Sequence, residues 1–445
     1  MRYACSTIVL GLAFIGTLTR CGGSEFHAGG AGGAGAGGNG AVPSGGTGVD
    51  SATGGQASDT GGATSDSTTI GPASCDIPSP DATDIYVDKR YSGTMPNGSP
   101  GCPFTTILDG INAPMTAGLK RTIHVAGDSP ALLYQESTRI LVGAGITLLG
   151  DGSAKVAVSA SGACASKTCA VHVQAGGILD GFQVTCPQGN GIVTGTLQAA
   201  SQPATVRNVI ASNSALNGIV ALGDVELGPG IVANSNGLPS SNGHGVSAEG
   251  AGLVHINASQ DSANQFSNNA WHGINVAVNS LLKFDGGEAV KNGNNGIRLA
   301  QQCAPPPAVH LIQGLKALGN SNNGVAVYGG SLKLRSSILL ASGHNGLNFN
   351  YTAGTLLDVG TIQEPGGNVF GGQTTSNNNT NAGIYLCNSA ATATAQPYYG
   401  NQWSSCPPSQ VSVATCGTIP ATYADLVSAS ANAVTLTIPA CAVGP

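Results

Sequence analysis

Two imidazoles, one carboxylate and one guanidinium are the side chains of this sequence best suited to moving protons or holding charge. His244 and His272 lie 28 residues apart in matching strings, His244-Gly245-Val246 and His272-Gly273-Ile274. Glu249 follows the first string, and Arg298 lies two residues beyond Gly296. Neighbouring imidazoles disfavour double protonation, which lowers one pKa and makes one ring a candidate general acid or base. Asn275, Asn348, Asn350, Tyr328, Tyr385 and Trp271 supply amides and aromatic faces of the kind that hydrogen-bond and stack on sugars. The plainer alternative is a rung in the repeat's asparagine ladder for the histidines and a solvated sheet face for the outward polar residues.

Other chemistries are poorly served. Lyase chemistry needs a base and a cation, often calcium, to stabilise an enolate. Calcium needs six or more oxygens with several carboxylates. Glu249, Asp261, Asp285 and Glu288 are scattered, so calcium has no clear site and the expectation is no cofactor. Lys283 and Arg298 are bases only in principle, because an isolated Lys or Arg is usually a solvated charge. Cys164-x4-Cys169 has neither a second cysteine pair nor matched histidines, so no zinc site is expected.

The elements that must position these residues follow from a repeat. Asn-Gly-aliphatic triplets occur at Asn190, Asn217, Asn295, Asn323 and Asn345, and His244, His272 and Ala382 open the remaining three. From Gly191 to Gly383 the glycine steps are 27, 27, 28, 23, 28, 22 and 37 residues. Self-similarity at such a period marks a stacked solenoid. Strands of three to five residues recur from Thr122, bounded by Gly, Asn or Ser, with no helical periodicity between them. The fold expected is therefore all-β: a single-stranded right-handed parallel β-helix solenoid of about ten coils. Residues 107, 108, 111 and 115 have helical spacing and predict a short N-terminal capping helix within Thr105–Met115.

Within this frame the residue after each glycine, from Ile192 to Ile384, points inward. The residue before it forms an asparagine ladder at a tight left-handed turn. A second asparagine position is visible at Asn269, Asn292, Asn320 and Asn379. The second and fourth residues after the glycine face outward. They read Val193, Gly195, Val220 and Leu222, and then Ser247, Glu249, Asn275, Arg298, Tyr328, Asn348, Asn350 and Tyr385. The outer face thus turns from apolar to polar at about the third repeat. Glu249, Asn275, Arg298 and Tyr328 are expected to form one line with steps of ~5 Å.

The ends differ from the middle. Arg2 and an apolar stretch from Ile8 to Leu18 read as a signal peptide over 1–20. Cys21 after Leu18-Thr19-Arg20 resembles a bacterial lipobox, with Arg20 as its departure, and is the expected lipidation site. Residues 21–74 read as a Gly/Ser/Ala-rich flexible tether. Residues 75–121 read as the N-terminal cap, 122–386 as the coils and 387–445 as a disulfide-rich C-terminal cap. Ten cysteines follow Cys21: Cys75, Cys102, Cys164, Cys169, Cys186, Cys303, Cys387, Cys406, Cys416 and Cys441. An even number in an exported chain predicts disulfides, with connectivity left open. Charged residues make up only 9% of the chain and the net charge is −6, with no Lys/Arg cluster, which excludes a nucleic-acid partner. A neutral, amide-rich surface suits sugar.

The pattern resembles the right-handed parallel β-helix proteins of the pectin-lyase-like superfamily. Residues 84–150 are more specific. Ile85-Tyr86-Val87-Asp88, Gly98 to Ile107, Ile123 to Gly127, Tyr134-Gln135-Glu136 and Ile146 to Gly150 resemble the opening of an uncharacterised bacterial surface family, domain of unknown function 1565. Some polysaccharide lyases share that opening. Cys102 and the insertion Asp128-Ser129-Pro130 depart from it. The resemblance implies the fold and, at most, a polysaccharide substrate class. Asn242 to Ser247 also resembles the Gly-His-Gly segment of polygalacturonases. Those enzymes need a close aspartate trio, whereas only Asp224 and Glu226 lie one coil upstream of His244 here.

The reading is thus an exported, lipid-anchored monomer outside the cytoplasm, either a surface or outer-membrane lipoprotein or secreted, that binds polysaccharide. It meets the membrane only through its anchor. A lyase or hydrolase acting on an acidic glycan is the alternative, and a structural or adhesive surface rod is the second. Convergence of Glu249, His244, His272 and Arg298 in a groove separates the enzyme from the rest.

Overall fold

The aliphatic column is what closes the coils. Ile192, Ile219, Val246, Ile274, Ile297, Val325, Leu347 and Ile384 are each fully buried and stand in direct register on neighbouring parallel strands. Burying one such side chain contributes ~1.5–3 kcal/mol, so the stack is a large stabilising contribution. A second column faces it: Leu148, Leu179, Val206, Leu227, Ile256, Phe284, Ile312 and Leu334, also in register. The chain is a parallel β-helix.

The structure is a computed structural model. It describes residues 82–372, 378–388 and 398–429, together with 5–8, 18–21, 75 and 442–443. Short stretches inside these spans are left out: 165–166, 196–201, 239–240, 251, 260–262, 278, 301–308, 352–354, 414, 417–419 and 421. Cys303, Cys441, Asp261 and the tether over 22–74 lie outside the described residues. The chain divides into two units, 1–73 and 74–445. In the first, Cys5–Ile8 pairs antiparallel with Leu18–Cys21. In the second, among the described residues, no helix is long and apolar enough to cross a membrane.

Each coil runs through three strips. Asn190–Gly195 lies in the first sheet, Ala204–Arg207 in the second and Ile210–Ala211 in the third strip, and Ile219–Leu222 then returns to the first. Among the described residues the first sheet holds ten parallel strands from Ile140 to Asn388. It continues with Ala424–Ala429 and Gln410–Val413, while the second sheet begins as early as Asp84–Val87.

Two polar files run along the rod. In the first, Asn190 Oδ1 accepts from the amide and side chain of Asn217, Asn217 Oδ1 accepts from His244 N–H, and the file resumes from Asn295 through Asn323 to Asn345. The second file is longer than the sequence suggested, because Asn236 belongs to it: Ser214 N–H donates to Asn236 Oδ1, and the chain of bonds passes to Asn269, Asn292 and Asn320. In the first file each residue donates to the coil before it, and in the second each donates to the coil after it.

The left-handed corner is not where the ladder predicted it. It falls at Asn213, Ser235, Asn268, Lys291, Gly319 and Ala341, each directly before a residue of the second file or the serine standing in for it. The repeat glycines serve close approach instead. A Cβ on Gly296 would meet Gly324 O at 2.6 Å and Asn320 Nδ2 at 2.9 Å. The backbone of the next coil leaves no room for it.

The predicted capping helix spans Ile107–Asn112. Thr106 Oγ1 accepts from Asp109 N–H at its start, and Glu136 Oε1 accepts from Ile107 N–H at 2.7 Å. Burial raises the Glu136 pKa, partly offset by those helix N–H donors. Arg121 is buried and donates to the carbonyls of Ala113 and Pro114 beyond the other end.

Cys75–Cys102, Cys164–Cys169 and Cys387–Cys416 are disulfides, and Cys406 is disulfide-bonded as well. Cys186 departs from the expectation. It is a free thiol, fully buried among the core aliphatics, where it packs as a small apolar side chain.

Candidate functional site

The outer face of the first sheet carries a single file that runs Val193, Val220, Ser247, Asn275, Arg298, Ala326, Asn348, Tyr385 and Val427 in register. The predicted line of Glu249, Asn275, Arg298 and Tyr328 is therefore two files. Glu249 and Tyr328 stand two residues farther along their strands, and Ala326 is the true neighbour of Arg298. Strand alternation puts the second and fourth residues on one face but not in one column.

The apolar half of this face is not open. Gly162–Cys164 turns back antiparallel on Lys167–Val173, and its Cys164–Cys169 disulfide packs on Val193, Val220 and Leu222. All three are buried. Lys167 then reaches past them to Glu249, with Nζ 2.7 Å from Oε2. Ser247 Oγ donates to the other oxygen of Glu249 at 3.2 Å. The hairpin thus covers the apolar coils and ends where the polar ones begin.

His244 and His272 stack in the first ladder, with ring centroids 5.1 Å apart and 11° between planes. His272 N–H donates to His244 Nδ1 at 3.3 Å, and Asn295 donates to His272 Nδ1 with both its amide and its side chain at 3.2 Å. Each Nδ1 thus stands where asparagine presents Oδ1, which fixes the neutral Nε2–H tautomer. Burial lowers the His244 pKa to about 3, with Arg298 adding to the effect. His272 is likewise held well below its ordinary value, by burial first and then by His244 and Arg298. Neither Nδ1 is free to take a substrate proton.

Arg298 is half-buried on this face and has no ion-pair partner among the described residues. Its Nη1 donates to Asn275 Oδ1 at 2.9 Å, and its guanidinium lies over the Tyr328 ring at 5.5 Å. Burial raises the Tyr328 pKa against the opposing pull of Arg298. Trp271 packs edge-on to His272 at 5.6 Å. Beyond Arg298 a cleft of about 290 Å³ opens between Tyr328 and Tyr385, lined also by Asn348 and Asn350. Four of the residues singled out for sugar contact therefore share one hollow, while Trp271 and Asn275 lie toward the histidines.

Asp224 and Glu226 belong to the other side. Glu226 lies in the second sheet, where it stands in register with His255, followed by Lys283. His255 Nε2 and Lys283 Nζ each lie 3.0 Å from Asp285 Oδ2, and Asn257 donates to Glu226 at 2.8 Å. The pairing within this patch is not visible from the repeat, because its residues follow none of the repeat glycines. Their common signal is alternation within Val225–Leu227, Gly252–Asn257 and Ser280–Val290. Among the described residues no cluster of His, Cys, Asp or Glu is arranged to hold a metal.

The architecture and this face define a parallel β-helix with an open, amide-rich stripe. No protein-family model and no characterised relative matches the chain by sequence. Among solved structures it is similar to the A-module of mannuronan C-5 epimerase AlgE4 from Azotobacter vinelandii, at 12% identity over 73% of this chain and 91% of that one, with a TM-score of 0.35. It is also similar to the periplasmic alginate epimerase AlgG, in a double-mutant form, at 12% identity over 74% and 79%, with a TM-score of 0.29. Likeness of this degree carries no argument about chemistry.

Proposed function

We propose that the open face of the first sheet, from Ser247 to Tyr385, binds an extended polysaccharide and makes or breaks no bonds in it. One observation carries this reading: Ser247, Asn275 and Arg298 lie in register on three consecutive coils, and after Ala326 the same file continues with Asn348 and Tyr385, at the ~5 Å coil spacing that suits an extended sugar chain. The proton-moving groups around them are committed elsewhere, the histidines to the ladder and Glu249 to Lys167. Disulfides fit an oxidising compartment. The same reading holds the rod outside the cytoplasm on a lipid at Cys21, spaced by the tether.

A second reading, a lyase or hydrolase acting on an acidic glycan, draws on Arg298 lying against the Tyr328 ring. A guanidinium there would hold a uronate carboxylate beside a phenol. Among the described residues it lacks a partner acid, since Glu249 is paired with Lys167.

The test is a binding and turnover screen of residues 75–445 against acidic and neutral glycans, with Arg298→Ala alongside. Binding without new reducing ends or unsaturated products supports the leading reading. A hydrogen bond to a charged group contributes ~1.5–3 kcal/mol, so Arg298→Ala should weaken an acidic glycan about tenfold or more with stability nearly unchanged. Product formation would move the protein to the second reading, and no binding by any glycan would leave an ordinary solvated face.

A further inference from the structure

The first ladder stops inside the cleft. Asn345 donates from Nδ2 to Asn323 Oδ1 at 2.8 Å, which fixes its amide and turns Oδ1 toward the next coil. The residue in register there is Ala382, whose methyl has nothing to donate. Asn345 Oδ1 is left buried without a partner, although the residue is only 6% exposed. Asn350 Oδ1, on the same strand and lining the same cleft, is also unpartnered. A buried acceptor left unmade costs ~1–3 kcal/mol, so two in one hollow mark a place that expects donors from outside.

The chemistry of the walls narrows the donor. Among the described residues the cleft is lined by no carboxylate, ammonium or guanidinium, and its one imidazole is His344. An ammonium donor would enter without a counter-charge, which burial penalises. A hydroxyl donates with no charge to compensate. About 290 Å³ is at the small end of ligand pockets, which span about 300–1,000 Å³, and suits one ring rather than a chain.

We infer that the cleft between Tyr328 and Tyr385 is a subsite for one uncharged sugar unit, whose hydroxyls donate to Asn345 Oδ1 and Asn350 Oδ1. This rests on the polysaccharide-binding reading of the face and adds the class of unit it takes at that end. Discrimination follows from the orphaned acceptors: a carboxylate placed at these two atoms would set oxygen against oxygen.

The experiment titrates the folded chain, by calorimetry, with hexasaccharides of glucose, galactose and mannose and with two polyuronates, at low and high salt. At least one neutral hexasaccharide should bind with little dependence on salt. Asn350→Ala should weaken it about tenfold with Tm unchanged, the loss of one or two hydrogen bonds. Ala382→Asn, which supplies the missing donor to Asn345, should weaken it as well. If Ala382→Asn does not fold, Asn350→Ala decides alone. Neutral binding that is indifferent to Asn350→Ala overturns the subsite. So does binding of polyuronates alone, lost in Arg298→Ala, and both results leave the binding face intact. Failure of every glycan to bind removes the face and the subsite together.

Discussion

His244 accepts the backbone N–H of His272 on Nδ1 while the two rings lie nearly parallel, 5.1 Å apart. Two imidazoles thereby do the work of two asparagines in a polar file that is otherwise amide. The resemblance to a catalytic pair is one of spacing only.

That substitution has a cost at low pH. The unfolded chain protonates its histidines as pH falls through about 6.5, whereas folding keeps His244 neutral down to about 3. Above pH 6.5 both states are neutral and the group contributes nothing. Below it, stability should fall by up to ~1.4 kcal/mol per pH unit per buried histidine until the folded pKa is reached. The double variant His244→Asn/His272→Asn should match wild type at pH 7 and lose markedly less stability between pH 6 and 4. Some slope should remain, because burial also lowers His310 to about 4. Urea melts across this range decide it, and equal slopes for the two proteins would contradict the account.

Gly296 tests the packing of coil on coil. A Cβ there would press on Gly324 O, so Gly296→Ala should cost ~2 kcal/mol or more. Gly118 is the control, with φ at +85° and open space around it. Gly118→Ala should cost only ~1 kcal/mol, from backbone conformation alone. Denaturant midpoints that rank them the other way would mean the coils separate more easily than the structure allows.

Removing the hairpin's staple should expose what it covers. In Cys164→Ser/Cys169→Ser the loss of so short a loop costs ~2 kcal/mol at most. The variant should stay folded yet bind an apolar dye at Val193, Val220 and Leu222. Dye binding no greater than wild type would show that the hairpin stays down without its disulfide.

Anchoring is a matter of fractionation. Cys21→Ser should shift the protein from the membrane fraction to the soluble one. Wild type already found in the soluble fraction would rule out the lipid at Cys21.

The inner column and the first ladder were legible because each repeat states them in three consecutive residues. Asn236 was hidden because the loop from Gly237 to Gly243 separates it from its glycine, breaking the offset that reveals Asn269 and Asn292. The covered half of the face was hidden for a different reason. Val193 and Val220 announce a lid, but nothing local says that Cys164 and Cys169, a coil away in sequence, form it. Tyr328 was assigned to the file of Arg298 because a period of two gives the face without the column. Cys186 obeyed its burial rather than its parity.

The two polar files donate in opposite directions along the rod, and this gives every incomplete rod a tip with a sense. A coil just laid down shows a bare acceptor at one corner and bare donors at the other, as Asn345 still does where Ala382 fails to answer it. Another coil travelling the same way satisfies both corners. Growth along the axis is therefore polar, like a thread that accepts a nut from one end, and the chain's own next coil is the piece cut to fit.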